Sequence, residues 1–264
     1  MAFINVAGTA LHASMTGGAH LPVVAFANSL GADFRIWDEV AALLSQDFRL
    51  VFYDKRGHGL SDIGSEPVTI ERHADDLEAV LAHFGVGRLA LVGLSIGGLI
   101  AQRFAVRAPG RLAALVLCDT AAKIGSTENW NARIAAVRSG GLESIADAVL
   151  ETWFSPAYCA DSPQALRGWR NMLSRQPAPG YIASCAAIRD CDLSADAGKI
   201  TTPALVVCGE HDRSTPPDLV RATAALIPGA KFALLVEASH IPCIEQPQAL
   251  ARLIKAHLKE AGHV

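Results

Sequence analysis

The chain predicts an α/β fold in which a mostly parallel, eight-stranded sheet is flanked by helices and carries an inserted helical cap. Three observations predict it. Short apolar runs alternate with longer amphipathic ones along most of the sequence, the signature of strands connected through crossover helices. The alternation lapses between about residues 122 and 199, where only helical patterns remain, and resumes afterwards. Finally, 264 residues at 51% hydrophobic supply one large core, or one core plus an insertion.

In chain order, strands are expected at Phe3–Val6, Leu11–Thr16, Val23–Ala27, Arg49–Tyr53, Leu89–Leu94, Leu112–Cys118, Ala204–Cys208 and Phe232–Val236. The first two are separated by Ala7-Gly8-Thr9 and read as an antiparallel hairpin leading into the parallel part. Helices are expected at Phe34–Leu44, Ile70–Phe84, Ile96–Ala108, Pro217–Leu226 and Pro247–Ala261, the third ended by Pro109-Gly110. The middle stretch holds Trp130, Trp153 and Trp169 and is punctuated by Pro156, Pro163, Pro177 and Pro179. The organisation that follows is a core made of residues 1–121 and 199–264, with a cap at 122–198. The Glu71-Arg72-His73-Ala74-Asp75-Asp76 stretch reads as a solvated helix face. Asp54-Lys55-Arg56-Gly57-His58-Gly59 reads as a structural loop rather than an anion site.

Composition excludes several classes. A net charge of −3 offers no footprint for nucleic acid. No run approaches the roughly 20 apolar residues of a membrane span, and the first residues lack the basic and apolar regions of a signal peptide. Six cysteines (Cys118, Cys159, Cys185, Cys191, Cys208, Cys243) include no CxxC pair, which argues against zinc and redox motifs and for small buried hydrophobes. The expectation is a cytoplasmic protein with its thiols reduced.

Gly93-Leu94-Ser95-Ile96-Gly97 fits G-x-S-x-G, and its setting gives the match weight. A buried-strand pattern precedes it and a helix follows, so Ser95 would sit on a tight elbow with glycines where a Cβ would crowd the turn. The alternative is an ordinary helix N-cap serine. A serine nucleophile needs a base, and the base an acid, arranged along such chains as Ser, acid, His. His12, His20, His58, His73 and His83 precede Ser95, and His263 lies in a tail expected to fray. His240, just past the last strand, is better placed than His211. Asp212, just past the penultimate strand, is the favoured acid, with Asp119 at the end of an earlier strand as its rival. The oxyanion donors would be the backbone amides of Ile96 and of Leu30, with Ser29 the alternative to Leu30.

With these landmarks in place, the sequence resembles the α/β-hydrolase superfamily, through Asn28-Ser29-Leu30-Gly31, Asp54 to Ser61, the Ser95 elbow, Gly209-Glu210-His211-Asp212 and Ser239-His240. The middle stretch is similar to that of 3-oxoadipate enol-lactonases, in Asp119 to Gly125, Trp130-Asn131-Ala132-Arg133-Ile134 and Cys185 to Asp190. Asp119 departs from it, since the resemblance leads to Asn there. The resemblance implies a serine hydrolase that opens an enol-lactone to 3-oxoadipate through an acyl-enzyme, with neither metal nor organic cofactor. Its substrate would be a small carboxylated lactone, for which the cap should supply a cation. Arg133 and Arg189 are the candidates, with Trp130, one helical turn from Arg133, as an apolar wall. Two other readings remain: a different small esterase or lactonase with the same triad, and a ligand receptor that kept the fold without turnover. Oligomeric state is left open.

Overall fold

A computed structural model describes residues 1–65 and 67–264. It contains eight strands: β1 (Ala2–Val6), β2 (Thr9–Thr16), β3 (Val23–Ala27), β4 (Arg49–Tyr53), β5 (Leu89–Leu94), β6 (Leu112–Cys118), β7 (Ala204–Gly209) and β8 (Lys231–Leu235). They form one sheet in the order β1-β2-β4-β3-β5-β6-β7-β8. β1 and β2 are an antiparallel hairpin, closed by Ala7 and Gly8, both at positive φ (49° and 84°) as a two-residue hairpin turn requires. β2 pairs antiparallel with β4, and every later pairing is parallel. All residues of β5, β6 and β7 are buried, which explains why their sequences are continuous apolar runs without alternation.

The helices are α1 (Asp38–Leu44), α2 (Ile70–His83), α3 (Ile96–Arg107), α4 (Thr127–Gly140), α5 (Ala146–Trp153), α6 (Pro156–Asp161), α7 (Pro163–Ser174), α8 (Ala178–Arg189), α9 (Pro217–Leu226), α10 (Pro242–Glu245) and α11 (Pro247–Glu260). Within the core, α1 packs on α11 and α2 on α3, while α3 lies against β5 and α9 against β7. Five helices, α4 to α8, stand between β6 and β7, with α4 packed on α8 and α5 on α7. The prolines of this stretch mark helix starts. Pro156 and Pro163 occupy the first turns of α6 and α7, where a missing N–H has no intrahelical partner to lose, and Pro177 precedes α8. Gly57 and Gly180 lie back to back: a Cβ on Gly180 would come within 2.4 Å of the Gly57 Cα, so side chains at this seam would wedge α8 away from the β4 loop.

Three expectations need correction. The helix expected over Phe34–Leu44 is a 3-10 turn (Phe34–Trp37), capped by the Asp33 carboxylate, followed by α1. The charged stretch at the start of α2 is not a solvated face, because His73, Ala74 and Asp76 are buried. Asp76 accepts from Arg56 Nε (2.6 Å) and Nη2 (2.7 Å) in a bidentate pair with both side chains inside the protein. His263 is not frayed either: it is buried, with Nε2 2.8 Å from the Val23 carbonyl oxygen.

Candidate active site

Ser95 follows β5 directly and begins α3 at φ 57°, ψ −118°, a conformation that L-residues adopt only under constraint. The constraints are visible. Its N–H donates to the Cys118 carbonyl (3.0 Å), and its carbonyl accepts from Thr120 Oγ1 (2.7 Å) and Gly98 N (2.8 Å). A Cβ on Gly97 would lie 2.1 Å from the Ala27 carbonyl oxygen, and one on Gly93 2.3 Å from the Gly97 oxygen. Both positions therefore admit only glycine, and the helix start is pressed against the neighbouring strand so that Ser95 projects from the sheet.

Asp212 and His240 come from the loops after β7 and β8. His240 Nδ1 is 2.9 Å from Asp212 Oδ2, and both side chains are buried. The Asp212 Oδ1 accepts from the amides of Ser214 (2.7 Å) and Thr215 (3.1 Å), while Oδ2 also accepts from Thr215 Oγ1 (2.6 Å). Burial acts to raise this carboxyl, but His240 beside it and the Thr215 bonds outweigh burial and hold it below the usual carboxylate range. The His240 loop is pinned on both sides: Ser239 N donates to Glu245 (2.6 Å), and Ile241 N donates to the Trp153 carbonyl (3.2 Å).

Asp119, the rival acid, directly follows β6 behind this pair. Its Oδ1 accepts from Gly209 N (2.7 Å), and Oδ2 is buried with no donor facing it. Burial and the neighbouring Asp212 push the Asp119 carboxyl well above the usual carboxylate range. Asp119, Asp212 and Cys208 bring one ligand atom each within 4.8 Å of one another, but burial also pushes the Cys208 thiol up.

Ser95, His240, Ser29 and Leu30 line one cavity of about 220 Å³, whose other wall comes from the helical insertion. Trp130 and Arg133 of α4 line it too. The Arg133 guanidinium sits 5.5 Å from the Trp130 ring centroid and donates to Tyr181 Oη at 3.5 Å. Gly125 makes room for that indole: a Cβ there would meet Trp130 Nε1 at 2.9 Å. Neither the Leu30 nor the Ile96 amide donates to another group among the described residues. Ile96 itself is fully buried at the start of α3, where the helix dipole favours negative charge.

A profile described as alpha/beta hydrolase fold matches residues 22–247. The chain belongs to the α/β-hydrolase fold family. Within that family it is a carboxylic-ester hydrolase by its relatives. It is 33% identical to a 3-oxoadipate enol-lactonase of Acinetobacter baylyi over 95% of this chain and 93% of that one. The crystal structure of the enol-lactonase from Burkholderia xenovorans LB400 superposes with a TM-score of 0.95 at 37% identity, covering 98% of this chain and all of that one. A thermophilic esterase from Thermogutta terrifontis, solved with malate bound, superposes at 0.90 with 30% identity, covering 99% and 97%.

Of the residues singled out from the sequence, the structure brings Ser95, Asp212, His240, Leu30, Ile96, Trp130 and Arg133 to one place and leaves Arg189 outside it. The Arg189 guanidinium lies at the surface, bonded to Asp190 (2.8 Å) and to Asn131 Oδ1 (2.8 Å), and does not line the cavity. It is one helix away from Arg133, and no local pattern says which of the two faces inward. Tyr181, Trp153 and Arg213 line the cavity without having been anticipated. Arg213 had a signal, since it follows Asp212 directly. Tyr181 had none, because only the packing of α8 on α4 turns it inward.

Proposed function

We propose that the chain hydrolyses a small enol-lactone carrying a free carboxylate, of the 3-oxoadipate enol-lactone type, with Ser95 as nucleophile, His240 as base and Asp212 as acid. The observation that carries this reading is the cavity itself, in which Ser95 and His240 face a wall built from Trp130 and Arg133. Arg133 has no carboxylate partner among the described residues, so its charge is free to pair with the substrate carboxylate.

In this mechanism His240 takes the Ser95 proton as Oγ attacks the lactone carbonyl. Charge builds on the carbonyl oxygen and meets the amides of Leu30 and Ile96; removing one such donor typically costs about 3 kcal/mol of barrier. Collapse expels the ring oxygen as an enol, which His240 protonates while the enol stays tethered to the acyl chain. Water activated by His240 then cleaves the acyl-serine and releases the keto acid after tautomerisation. Asp212 keeps Nδ1 of His240 protonated, so that Nε2 is the atom that accepts. The chemistry asks for no metal or organic cofactor. A product of this kind belongs to the β-ketoadipate route of aromatic catabolism, and a cytoplasmic enzyme is part of the same proposal.

The test is the disappearance of freshly generated 3-oxoadipate enol-lactone, followed by ultraviolet absorbance, for the parent, Ser95→Ala and Arg133→Met. Rapid loss with the parent, none with Ser95→Ala, and a KM raised about tenfold or more with Arg133→Met are expected, from loss of a charge-assisted contact. Survival of the lactone alongside Ser95-dependent cleavage of neutral aryl esters would replace this substrate by a simple ester, a reading that the malate-bound esterase relative keeps open.

A further inference from the structure

Lys55 is almost completely buried, 1% exposed, at the end of β4. No carboxylate touches it among the described residues; its Nζ donates instead to the carbonyls of Ser29 (2.6 Å) and Ala32 (3.3 Å). A buried lysine without an ion-pair partner is an expensive way to fill space, since an apolar side chain would cost less. Its two partners are backbone oxygens of the loop that carries Leu30.

In a trans peptide the C=O and the N–H point in opposite directions. The Ser29 carbonyl and the Leu30 N–H belong to one peptide unit, and there is no cis peptide bond among the described residues. A carbonyl turned to Lys55 beneath the loop therefore directs the Leu30 N–H the other way, toward the cavity that Ser29, Leu30 and Ser95 line. Resting on the assignment of the Leu30 amide as an oxyanion donor, we propose that Lys55 is a positioning residue for the oxyanion hole. Its ammonium fixes and polarises the Ser29–Leu30 peptide whose N–H receives the developing charge. A cation on the carbonyl side shifts electron density away from the N–H and strengthens it as a donor, and hydrogen-bond chains reinforce one another by roughly 10–30% per bond.

The loop does not depend on Lys55 alone for its shape. Asn28 Nδ2 donates to the Tyr53 carbonyl (2.9 Å), and Asn28 Oδ1 accepts from Trp37 Nε1 (3.1 Å), so a second brace holds the same segment. Polarisation is therefore separable from folding. The surroundings also make the charge titratable: burial pushes Lys55 down to about 7, against the opposing pull of Asp54 and Asp33. The other charged or titratable groups nearby are the Arg56–Asp76 pair and the buried His58 and His73, both held neutral by burial and by Lys55 itself. The cation is thus lost as pH rises through the neutral range, while a neutral amine would remain as a weaker donor.

The experiment compares the parent, Lys55→Met and Lys55→Gln in kcat and KM across pH 6 to 9.5, on whichever ester or lactone Ser95 cleaves. A wrong substrate assignment therefore leaves the comparison intact. Lys55→Met is expected to lower kcat about 10- to 100-fold with KM within twofold, and to weaken a trifluoromethyl ketone inhibitor in the same proportion, because only the tetrahedral state uses the donor. The parent should lose kcat above pH 7, and that basic limb should be absent from both variants. Lys55→Gln, which keeps a neutral donor, should fall between the two. A folded Lys55→Met with kcat within twofold of the parent overturns the proposal. Should Lys55→Met not fold, a parent kcat that stays flat from pH 6.5 to 9.5 overturns it equally.

Discussion

Replacing Asp212 by Asn tests the acid assignment with almost no change of shape, and the hydrogen bonds dictate how the amide must sit. Oδ1 accepts from two backbone N–H groups, of Ser214 and Thr215. An amide nitrogen there would face two donors, so the NH2 is forced into the Oδ2 position. Thr215 Oγ1 adapts by rotating its hydroxyl to accept. His240 Nδ1, 2.9 Å away, must then accept as well, which moves the ring proton to Nε2. A protonated Nε2 cannot take the Ser95 proton. The expected fall in kcat is about 10⁴-fold, the size of a wrong-tautomer defect, corresponding to about 5.4 kcal/mol of barrier. The assay is lactone turnover at saturating substrate, with thermal melting to show that the variant is folded. A kcat within tenfold of the parent would refute the reasoning and transfer the acid role to Asp119.

Asp119→Asn should leave kcat within about threefold, because the amide keeps an oxygen to accept from Gly209 N and His240 is bonded to Asp212 instead. The same substitution should change the pH dependence of stability. A carboxyl whose folded pKa is raised contributes stability that is complete below its unfolded pKa, about 3.9, and is lost as pH rises toward the folded value. Urea unfolding should therefore show Asp119→Asn gaining on the parent between pH 5 and pH 8, and an unchanged difference would mean that Asp119 is ionised. Asp76→Ala removes the bidentate partner of the buried Arg56 guanidinium and is expected to cost about 3 kcal/mol, roughly 10 °C in melting temperature. A loss under 3 °C would show that water reaches the guanidinium.

What the sequence determined by itself is the order of the strands along the chain, the elbow at Ser95 and the placing of Asp212 and His240 just past the last two strands, because each is written in local patterns. Apolar runs mark β5, β6 and β7 since both faces of those strands are covered. Gly93 and Gly97 mark the elbow since no Cβ fits beside Ala27 and Gly97. The prolines that punctuate the insertion fall at the starts of α6, α7 and α8, but no helix bounds were read from them. Only the tertiary structure decided which of Arg133 and Arg189 faces the cavity, that Tyr181 joins it, and that His73 and Asp76 are buried in a stretch that reads as solvent-facing. It also decided that Asp119 stands behind Asp212, in contact with Gly209, and that Lys55 lies against the Ser29 and Ala32 carbonyls rather than in water. The physical reason is common to all of these. Whether a charged side chain is solvated, paired or held against a carbonyl depends on residues far away in sequence, 26 positions for Lys55 and Ser29 and 90 for Asp119 and Gly209. Such environments have no local signature, and they exist only once the sheet has brought the strand ends together.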